Sequence, residues 1–316
     1  MTPARYVPDP ALFRLQPWRA LGALAADWGL LAAAFTSAIV WPHAVTYLLA
    51  AILVARTQLA LAVIMHESAH GTLLPSRKIN DIVGQACAAG PLCMSLRTYR
   101  AGHLQHHRAP MTHDDPVAIV FGINDYPVTR RRLAARLLGD LFGMAYFATA
   151  FKFARGDYCG VLPKVAKSRP YVAWELCTMV ASNGLLFGVL ALCGHPWLYL
   201  VLWTLPSLTL LPFFGRMRAI MEHAGLAAGD DQRQNARTIV RWSWQTFLFG
   251  PHAIHYHIEH HLHARLPFYS LGQVHGQMAA AGLLPAANLY RGYGAVLRDV
   301  SPAVPARSPQ PALKDQ

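Results

Sequence analysis

Charged residues are scarce in this chain of 316 residues. Only 14% of the residues are charged, whereas 54% are hydrophobic, and the mean hydropathy is +0.25. This composition excludes an ordinary soluble domain and indicates a polytopic membrane protein. The net charge of +12 comes mainly from arginines scattered between apolar runs. A basic membrane-facing surface therefore explains the charge better than nucleic-acid binding does, and no nucleic-acid partner is expected.

Paired cysteines and a recognisable signal-peptide cleavage site are also lacking. The five cysteines include no CxxC pair, which argues against a zinc ribbon and a disulfide framework, so we interpret them as reduced. No small-residue cleavage site follows a short apolar region near the N-terminus, and the first apolar run is therefore predicted to be an uncleaved transmembrane helix. The cysteines are Cys87, Cys93, Cys159, Cys177 and Cys193.

Four apolar stretches are long enough to span a membrane, which takes about 20 residues. They pair into two hairpins whose turns, around Pro42 and Pro196, contain neither Lys nor Arg. The positive-inside rule then places the remaining loops in the cytoplasm. We predict an all-α integral membrane protein with four transmembrane helices in two hairpins and a cytoplasmic helical cap. The predicted spans are about 21–41, 46–65, 174–193 and 197–214.

The membrane domain is predicted to cover residues 1–300. Two shorter apolar runs, 82–96 and about 138–153, are predicted to be re-entrant or interfacial helices, with an additional pair of spans as the alternative. Residues 301–316 are rich in Pro, Ala and Ser and have no apolar period. They are predicted to be a disordered C-terminal tail.

Three histidine clusters follow these apolar runs, with the patterns HxxxH, HxxHH and HxxHH. Histidines four residues apart project from one face of a helix. An even number of predicted spans precedes each cluster, so all three are expected on the cytoplasmic side, where they can meet. The histidines are His66, His70, His103, His106, His107, His257, His260 and His261.

This histidine set predicts a metal site, because neutral imidazoles that face an apolar interior carry a desolvation cost unless a cation binds them. Eight ligands exceed what one four- to six-coordinate ion can use, so two ions are predicted. Imidazole suits iron, copper, zinc and nickel alike. Zinc would suit hydrolysis, but a site beside lipid-facing helices meets hydrocarbon, which favours a di-iron centre that activates dioxygen.

The three boxes resemble those of the membrane fatty acid desaturase family, and the similarity extends roughly from the second predicted helix to Pro267. The resemblance implies that the eight histidines bind two iron ions (Fe2+/Fe3+) at a cytosolic site. The family usually supplies one further ligand between the fourth helix and the last box, and His223 occupies that place. His255 stands where the family often has Asn, two residues before the last box, and could be a ligand, a water holder or neither.

The resemblance also implies that hydrogen is removed from two adjacent carbons of a fatty acyl chain, with dioxygen as co-substrate. The chain has no HPGG haem motif, no GxGxxG and no cysteine-ligated cluster. Ferredoxin, rubredoxin or a separate cytochrome b5 is therefore expected to deliver the electrons. The composition and the lack of a targeting motif favour a bacterial inner membrane. Four arginines form a basic face: Arg130, Arg131, Arg132 and Arg136. This face is either a docking surface for an acidic electron donor or a solvated surface that contacts lipid headgroups.

Two other functions stay open on the sequence alone. A hydroxylase or ketolase of a lipid, an alkane or a carotenoid would use the same di-iron site, because the outcome depends on how the second C–H bond is aligned. A transporter or metal-binding membrane protein without oxidase activity would instead line a path near the bilayer midplane with polar residues.

Several other polar residues have predicted supporting roles. Asp27 and Arg56 lie inside predicted spans, where a charge is costly unless paired, and form either a functional or a structural ion pair. The polar run 234–238 is given little weight as a site. Ordinary hydrogen bonding or support is expected of His43, His113, His195, His252, His263 and His275. Carboxylates that could orient the metal-binding imidazoles are Glu67, Asp81, Asp114, Asp115, Glu222 and Glu259.

Overall fold

The computed structural model describes residues 6–155, 169–229 and 231–302. Within these ranges the chain is mostly helical, with one short parallel strand pair. The helices are α1 (Pro17–Val40), α2 (Ala44–His70), α3 (Arg77–Gly84), α4 (Leu96–Arg108), α5 (Pro116–Phe121), α6 (Arg130–Leu141), α7 (Met144–Arg155), α8 (Arg169–Leu192), α9 (Leu205–Leu208), α10 (Leu210–Glu222), α11 (Trp244–Phe249), α12 (His257–Leu262), α13 (Phe268–Ala280) and α14 (Tyr293–Val300). The strands are β1 (Thr238–Ile239) and β2 (Leu289–Tyr290), and π-helical segments cover Gln85–Ala89 and Tyr199–Thr204.

In the described part of the chain, four helical stretches are long and apolar enough to cross a membrane, as predicted. The fourth is a composite, in which Tyr199–Thr204, α9 and α10 follow one another. The protein is thus a helical membrane protein with its candidate spans in two hairpins. The spans are Pro17–Val40, Ala44–His70, Tyr171–Leu192 and Tyr199–Glu222.

The second span is the centre of the fold. It packs against α1, α4 and α10, and most of its residues from Val54 to Ala69 are buried. A helix that is buried on all sides can carry polar residues wherever its neighbours supply partners. The helix ends at Gly71, whose left-handed φ of +76° is the conformation that glycine adopts most easily at a helix C-terminus.

Neither short apolar run forms a helix of spanning length among the described residues. The run 82–96 continues α3 through the π-helical segment into a turn, and the run 138–153 is divided between α6 and α7. The additional pair of spans is therefore absent from this part of the chain. Phe142, Met144, Phe147 and Phe151 are exposed along the second run.

The C-terminal segment folds back onto the ends of α2 and α10. Strand β1 pairs with β2, and the backbone of β1 also bonds to the turn that precedes α12. Ser301 is buried and its hydroxyl donates to the Leu297 carbonyl, which ties it to α14. The rest of the predicted tail, 303–316, lies outside the described residues.

Candidate metal centre

Four chain segments bring the nine predicted histidines together. The first box is the last turn of α2, the second lies on α4, the third forms most of α12, and His223 directly follows α10. Their ring nitrogens form two groups, and within each group one ring nitrogen per residue lies within 4.8 Å of all the others. The five-histidine group is His66, His70, His103, His107 and His260, and the four-histidine group is His106, His223, His257 and His261.

The HxxHH spacing explains this division. On α4, His103 and His107 are one turn apart and join the five-histidine group, whereas His106 joins the other. On α12 the assignment is the opposite: His257 and His261 belong to the four-histidine group, and His260 belongs to the five-histidine group. The two groups are adjacent, since the rings of His107 and His261 stack with centroids 4.4 Å apart.

The imidazoles converge through their Nε2 atoms. In the five-histidine group, His103 Nε2 lies 2.9 Å from His70 Nε2 and 3.0 Å from His107 Nε2. His260 Nε2 lies 3.0 Å from both His66 Nε2 and His107 Nε2. Since one Nε2 cannot donate to and accept from several others at once, these contacts are crowded lone pairs rather than a hydrogen-bond chain.

The four-histidine group shows the same convergence deeper in the protein. His257 Nε2 lies 2.8 Å from His223 Nε2 and 3.1 Å from His261 Nε2, and all four residues are buried. Both groups therefore present several nitrogens to a common point, which is the arrangement of ligands around a cation.

Burial keeps rings of both groups neutral. Desolvation, reinforced by neighbouring imidazoles, lowers the pKa of His107 to about 2 and that of His223 to about 3. The same causes hold the pKa values of His103, His257 and His260 well below the usual range. A neutral imidazole is the form that binds a metal, so the lone pairs are available at pH 7.

Carboxylates and a carbonyl orient some of the rings from behind. His106 Nδ1 lies 2.9 Å from Asp115 Oδ1, and His223 Nδ1 donates to the Asn235 carbonyl at 2.7 Å. His66 Nδ1 lies 3.2 Å from Glu67 Oε1. A contact of this kind fixes the proton on Nδ1 and leaves Nε2 free to bind a metal.

Asp115 also accepts bonds from the Met111 and Val117 amides, both at 2.8 Å, and so caps α5. Glu222 lies farther from a histidine ring: its Oε1 is 3.4 Å from His257 Nδ1. The same oxygen accepts from Arg218 Nε at 2.6 Å. Three of the six predicted carboxylates therefore lie behind a histidine of the groups.

The other three carboxylates have different roles in the described structure. Asp81 pairs with Arg100, whose guanidinium also donates to the carbonyls of Ser68 and Ala69 at the end of α2. Asp114 is exposed. Glu259 accepts from Thr238 Oγ1 and His275 Nδ1, both at 2.6 Å, and so joins α12 to β1 and α13.

His255 belongs to neither histidine group among the described residues. Its Nδ1 donates to the Ile239 carbonyl at 2.9 Å, and burial lowers its pKa. Together with Arg218, Glu222 and Tyr293 it lines a cavity of about 10 Å³. A cavity of this size is at the lower limit for one water molecule.

The polar run 234–238, which had little weight as a site on the sequence alone, supports residues of the metal centre. The Asn235 carbonyl accepts a hydrogen bond from the His223 ring. The Thr238 hydroxyl donates to Glu259 and accepts from the Ile258 amide. Arg100 and Tyr99 were not singled out by the sequence. Tyr99 stacks on His103 with ring centroids 5.4 Å apart and an interplanar angle of 8°.

Asp27 and Arg56 form a buried ion pair, with Oδ1 2.8 Å from Nη1. On the predicted basic face, Asp125 lies 3.7 Å from Arg132 and 2.5 Å from Arg136, whereas Arg130 and Arg131 are exposed at the start of α6.

Comparison with known proteins agrees with the geometry. The sequence matches the family described as Fatty acid desaturase over residues 39–294. It is 26% identical over 270 residues to a Dihydrorhizobitoxine desaturase of Bradyrhizobium elkanii, covering 82% of this chain and 76% of that protein. It is 28% identical over 218 residues to a Beta-carotene ketolase of Paracoccus sp., covering 67% of this chain and 72% of that protein. With the family match running through all three histidine boxes, the chain belongs to the fatty acid desaturase family.

Proposed function

We propose that this protein is a membrane-bound di-iron oxidoreductase that introduces a double bond into a fatty acyl chain. The observation that carries the proposal is the pair of adjacent histidine groups, whose Nε2 atoms converge beside the ends of two candidate spans. Membership of the desaturase family supports an oxidoreductase. The metal-free alternative leaves the crowded Nε2 lone pairs without a partner, which is costly in a buried site.

The spacing of the nitrogens fits a six-coordinate ion, of which iron is one, better than tetrahedral zinc. Two imidazole nitrogens bound to one metal at about 2.1 Å lie about 3.0 Å apart when the bonds are at right angles, and about 3.4 Å apart in a tetrahedron. The Nε2 contacts between 2.8 and 3.1 Å match the right-angle value. Five donors in one group also exceed the four ligands of a typical zinc site. Each group would hold one iron ion.

When bound, the two iron ions would supply the oxidation, in which one dioxygen, two electrons and two protons become two water molecules as two hydrogens leave adjacent carbons. The residues of the chain set the geometry for that step. Asp115, Glu67 and the Asn235 carbonyl hold three rings in the tautomer that presents Nε2.

We place the centre on the cytoplasmic side of a bacterial inner membrane. The turn 41–43 and the turn 194–196, which would face the opposite side, contain no Lys or Arg. Electrons would come from ferredoxin, rubredoxin or cytochrome b5. The exposed Arg130 and Arg131 offer such an acidic donor a positive surface, because Asp125 neutralises only the neighbouring arginines.

A second candidate function is oxygen insertion by the same centre. The similarity to a protein named Beta-carotene ketolase favours it. The two reactions would differ in whether the second C–H bond or an oxygen atom is presented to the oxidised carbon, which is a matter of small displacements.

Lipid profiling of a bacterial host that lacks the activity would separate these functions. We expect a product lighter by two hydrogens and without added oxygen, together with about two irons per purified chain. The variants His106→Ala and His260→Ala, one from each group, should lose both product and iron, whereas His195→Ala in a hairpin turn should retain them. A product with one added oxygen would support the second function. Full iron loading with unchanged lipids and carotenoids would contradict both and favour a metal-binding protein without oxidase activity.

A further inference from the structure

A buried ionic cluster joins the first two spans to the segment before the third histidine box. Asp27 on α1 and Arg56 on α2 are 3% and 9% exposed. Asp27 Oδ1 accepts from Arg56 Nη1 at 2.8 Å, and its Oδ2 lies 2.6 Å from His252 Nε2. His252 lies five residues before the first histidine of the box.

Charges at this depth need partners, because an unpaired charge in a span is expensive. Arg56 makes two further interactions besides its ion pair with Asp27, both with Phe247. Its Nε donates to the Phe247 carbonyl at 3.3 Å, and its guanidinium lies 4.8 Å from the centre of the Phe247 ring. Since Phe247 is on α11, both charged partners of the pair reach into the stretch that leads to the third box.

The backbone of that stretch is strained. His252 and Ala253 are consecutive residues with φ of +54° and +56°, a conformation that residues other than glycine adopt reluctantly. Such a conformation persists only where the surroundings enforce it. On one side, His255 and Ile239 exchange two hydrogen bonds, one of them through the His255 ring. On the other side, the His252 ring contacts the Asp27 carboxylate and lies 5.2 Å from the Phe268 ring, so Asp27 supplies its ionic contact there.

We propose that Asp27 is a positioning residue for the metal centre. Together with Arg56 it holds the His252 ring, and this contact keeps the left-handed turn 252–253 in the shape that presents the three histidines of α12. The inference rests on the proposed metal site but adds a role for groups that lie inside the spans. The geometry further implies that relief of the strain at Ala253 should compensate for loss of the contact.

A second ion pair provides a matched control. Asp140 is 1% exposed and binds Arg216, whose Nη1 also donates to the Phe121 carbonyl at 2.7 Å. This pair joins α6 to α10 rather than to the segment before the third box. Asp140→Asn therefore removes a comparable buried charge away from the turn.

The test compares Asp27→Asn, Asp140→Asn, Ala253→Gly and the double variant Asp27→Asn/Ala253→Gly in the full-length protein. Iron per chain, the Mössbauer spectrum of the iron-57 protein, the thermal midpoint and kcat and KM are measured. We expect Asp27→Asn to lower kcat at least tenfold with little change in KM, to lose iron and to alter the spectrum. Ala253→Gly should restore at least half of the lost iron, because glycine adopts the left-handed turn without strain. Asp140→Asn should lower the thermal midpoint while it keeps iron, spectrum and kcat.

A milder pair of variants addresses the case in which Asp27→Asn does not fold. His252→Gln keeps an amide donor for Asp27 and should retain iron and spectrum, whereas His252→Leu should lose them and be restored by Ala253→Gly. An unchanged spectrum and iron content in His252→Leu, or no restoration by Ala253→Gly, would overturn the positioning role. Wild-type protein without iron would instead refute the proposed function, so the two failures are distinguishable.

Discussion

The two histidine groups differ in how they are supported and enclosed. In the four-histidine group all residues are buried, and the rings of His106 and His223 have hydrogen-bond partners behind them at 2.9 and 2.7 Å. In the five-histidine group His70 is half-buried, and the carboxylate nearest to a ring nitrogen, Glu67, is 3.2 Å away. One group is thus a closed and oriented site, and the other is a more open one with more donors.

This difference indicates how the work of the centre is divided. Hydrogen bonds behind a ligand raise its basicity and fix its ring, which strengthens metal binding. A ligand that is exposed at the edge of a site lets small molecules reach the metal and lets the metal exchange with solution. We therefore expect the four-histidine group to retain its metal more firmly and the five-histidine group to be the side of the centre that exchanges more readily. Four predictions test this contrast.

Removal of one ligand from each group should have the largest effect. Both His223→Ala and His70→Ala should reduce product to background, because each takes a nitrogen from a converging set. His223→Ala leaves three donors in its group and His70→Ala leaves four, so iron content should fall further in His223→Ala. Iron analysis and product assay on the same preparations check this, with His195→Ala as the control. A greater iron loss in His70→Ala would show that the number of remaining donors does not decide how well a group keeps its metal.

The next largest effect is expected from the groups behind the rings. Asp115→Asn should weaken metal binding about 10- to 100-fold. It should also lower stability by about 0.5–1.5 kcal/mol, because the single carbonyl oxygen of asparagine cannot replace both carboxylate oxygens, which accept from the Met111 and Val117 amides. Glu67→Gln should weaken binding less, since its contact to His66 is longer. Titration against a competing chelator measures the affinities. The adjacent exposed Asp114→Asn is the control, and equal effects of Asp115→Asn and Glu67→Gln would remove the proposed difference between the groups.

The grouping of the histidines was predictable from the sequence because a spacing of four on a helix brings side chains together, and all nine predicted ligands lie in the two groups. The end of the second span was less predictable. Hydropathy falls after residue 65, but α2 continues to His70 because the polar residues of the first box are buried against other helices rather than lipid. Hydrogen-bond partners that act through the backbone could not be predicted from the sequence, because every residue has a carbonyl like the one by which Asn235 accepts from His223.

Two features depended on tertiary contacts that no local pattern records. Asp115 reaches His106 because the chain turns back after α4, which singled it out from the equally suitable Asp114. The second partner of Asp27 is His252, 225 residues away, so the predicted pair was found but its connection to the third box was not.

The two histidine groups should release their metal at different rates. With a chelator in excess, iron should leave in two phases, the faster from the five-histidine group, because His70 and its contact to His103 are only partly buried. A coloured chelator follows the release directly. His70→Ala should alter the faster phase and leave the slower one unchanged. Release in a single phase would mean that the two sites are equally enclosed.

The smallest expected effect concerns the stacking of Tyr99 on His103, by which the five-histidine group orients a ring without a hydrogen bond. Tyr99→Leu should weaken metal binding by this group about twofold to tenfold, since aromatic stacking contributes about 0.5–1.5 kcal/mol. Tyr99→Phe keeps the ring and should bind as wild type. Burial raises the pKa of Tyr99 to about 12, so the phenol stays protonated and offers no charge to the metal site at pH 7. Chelator competition measures both variants, and an equal loss in Tyr99→Phe would show that the hydroxyl rather than the ring face supports His103.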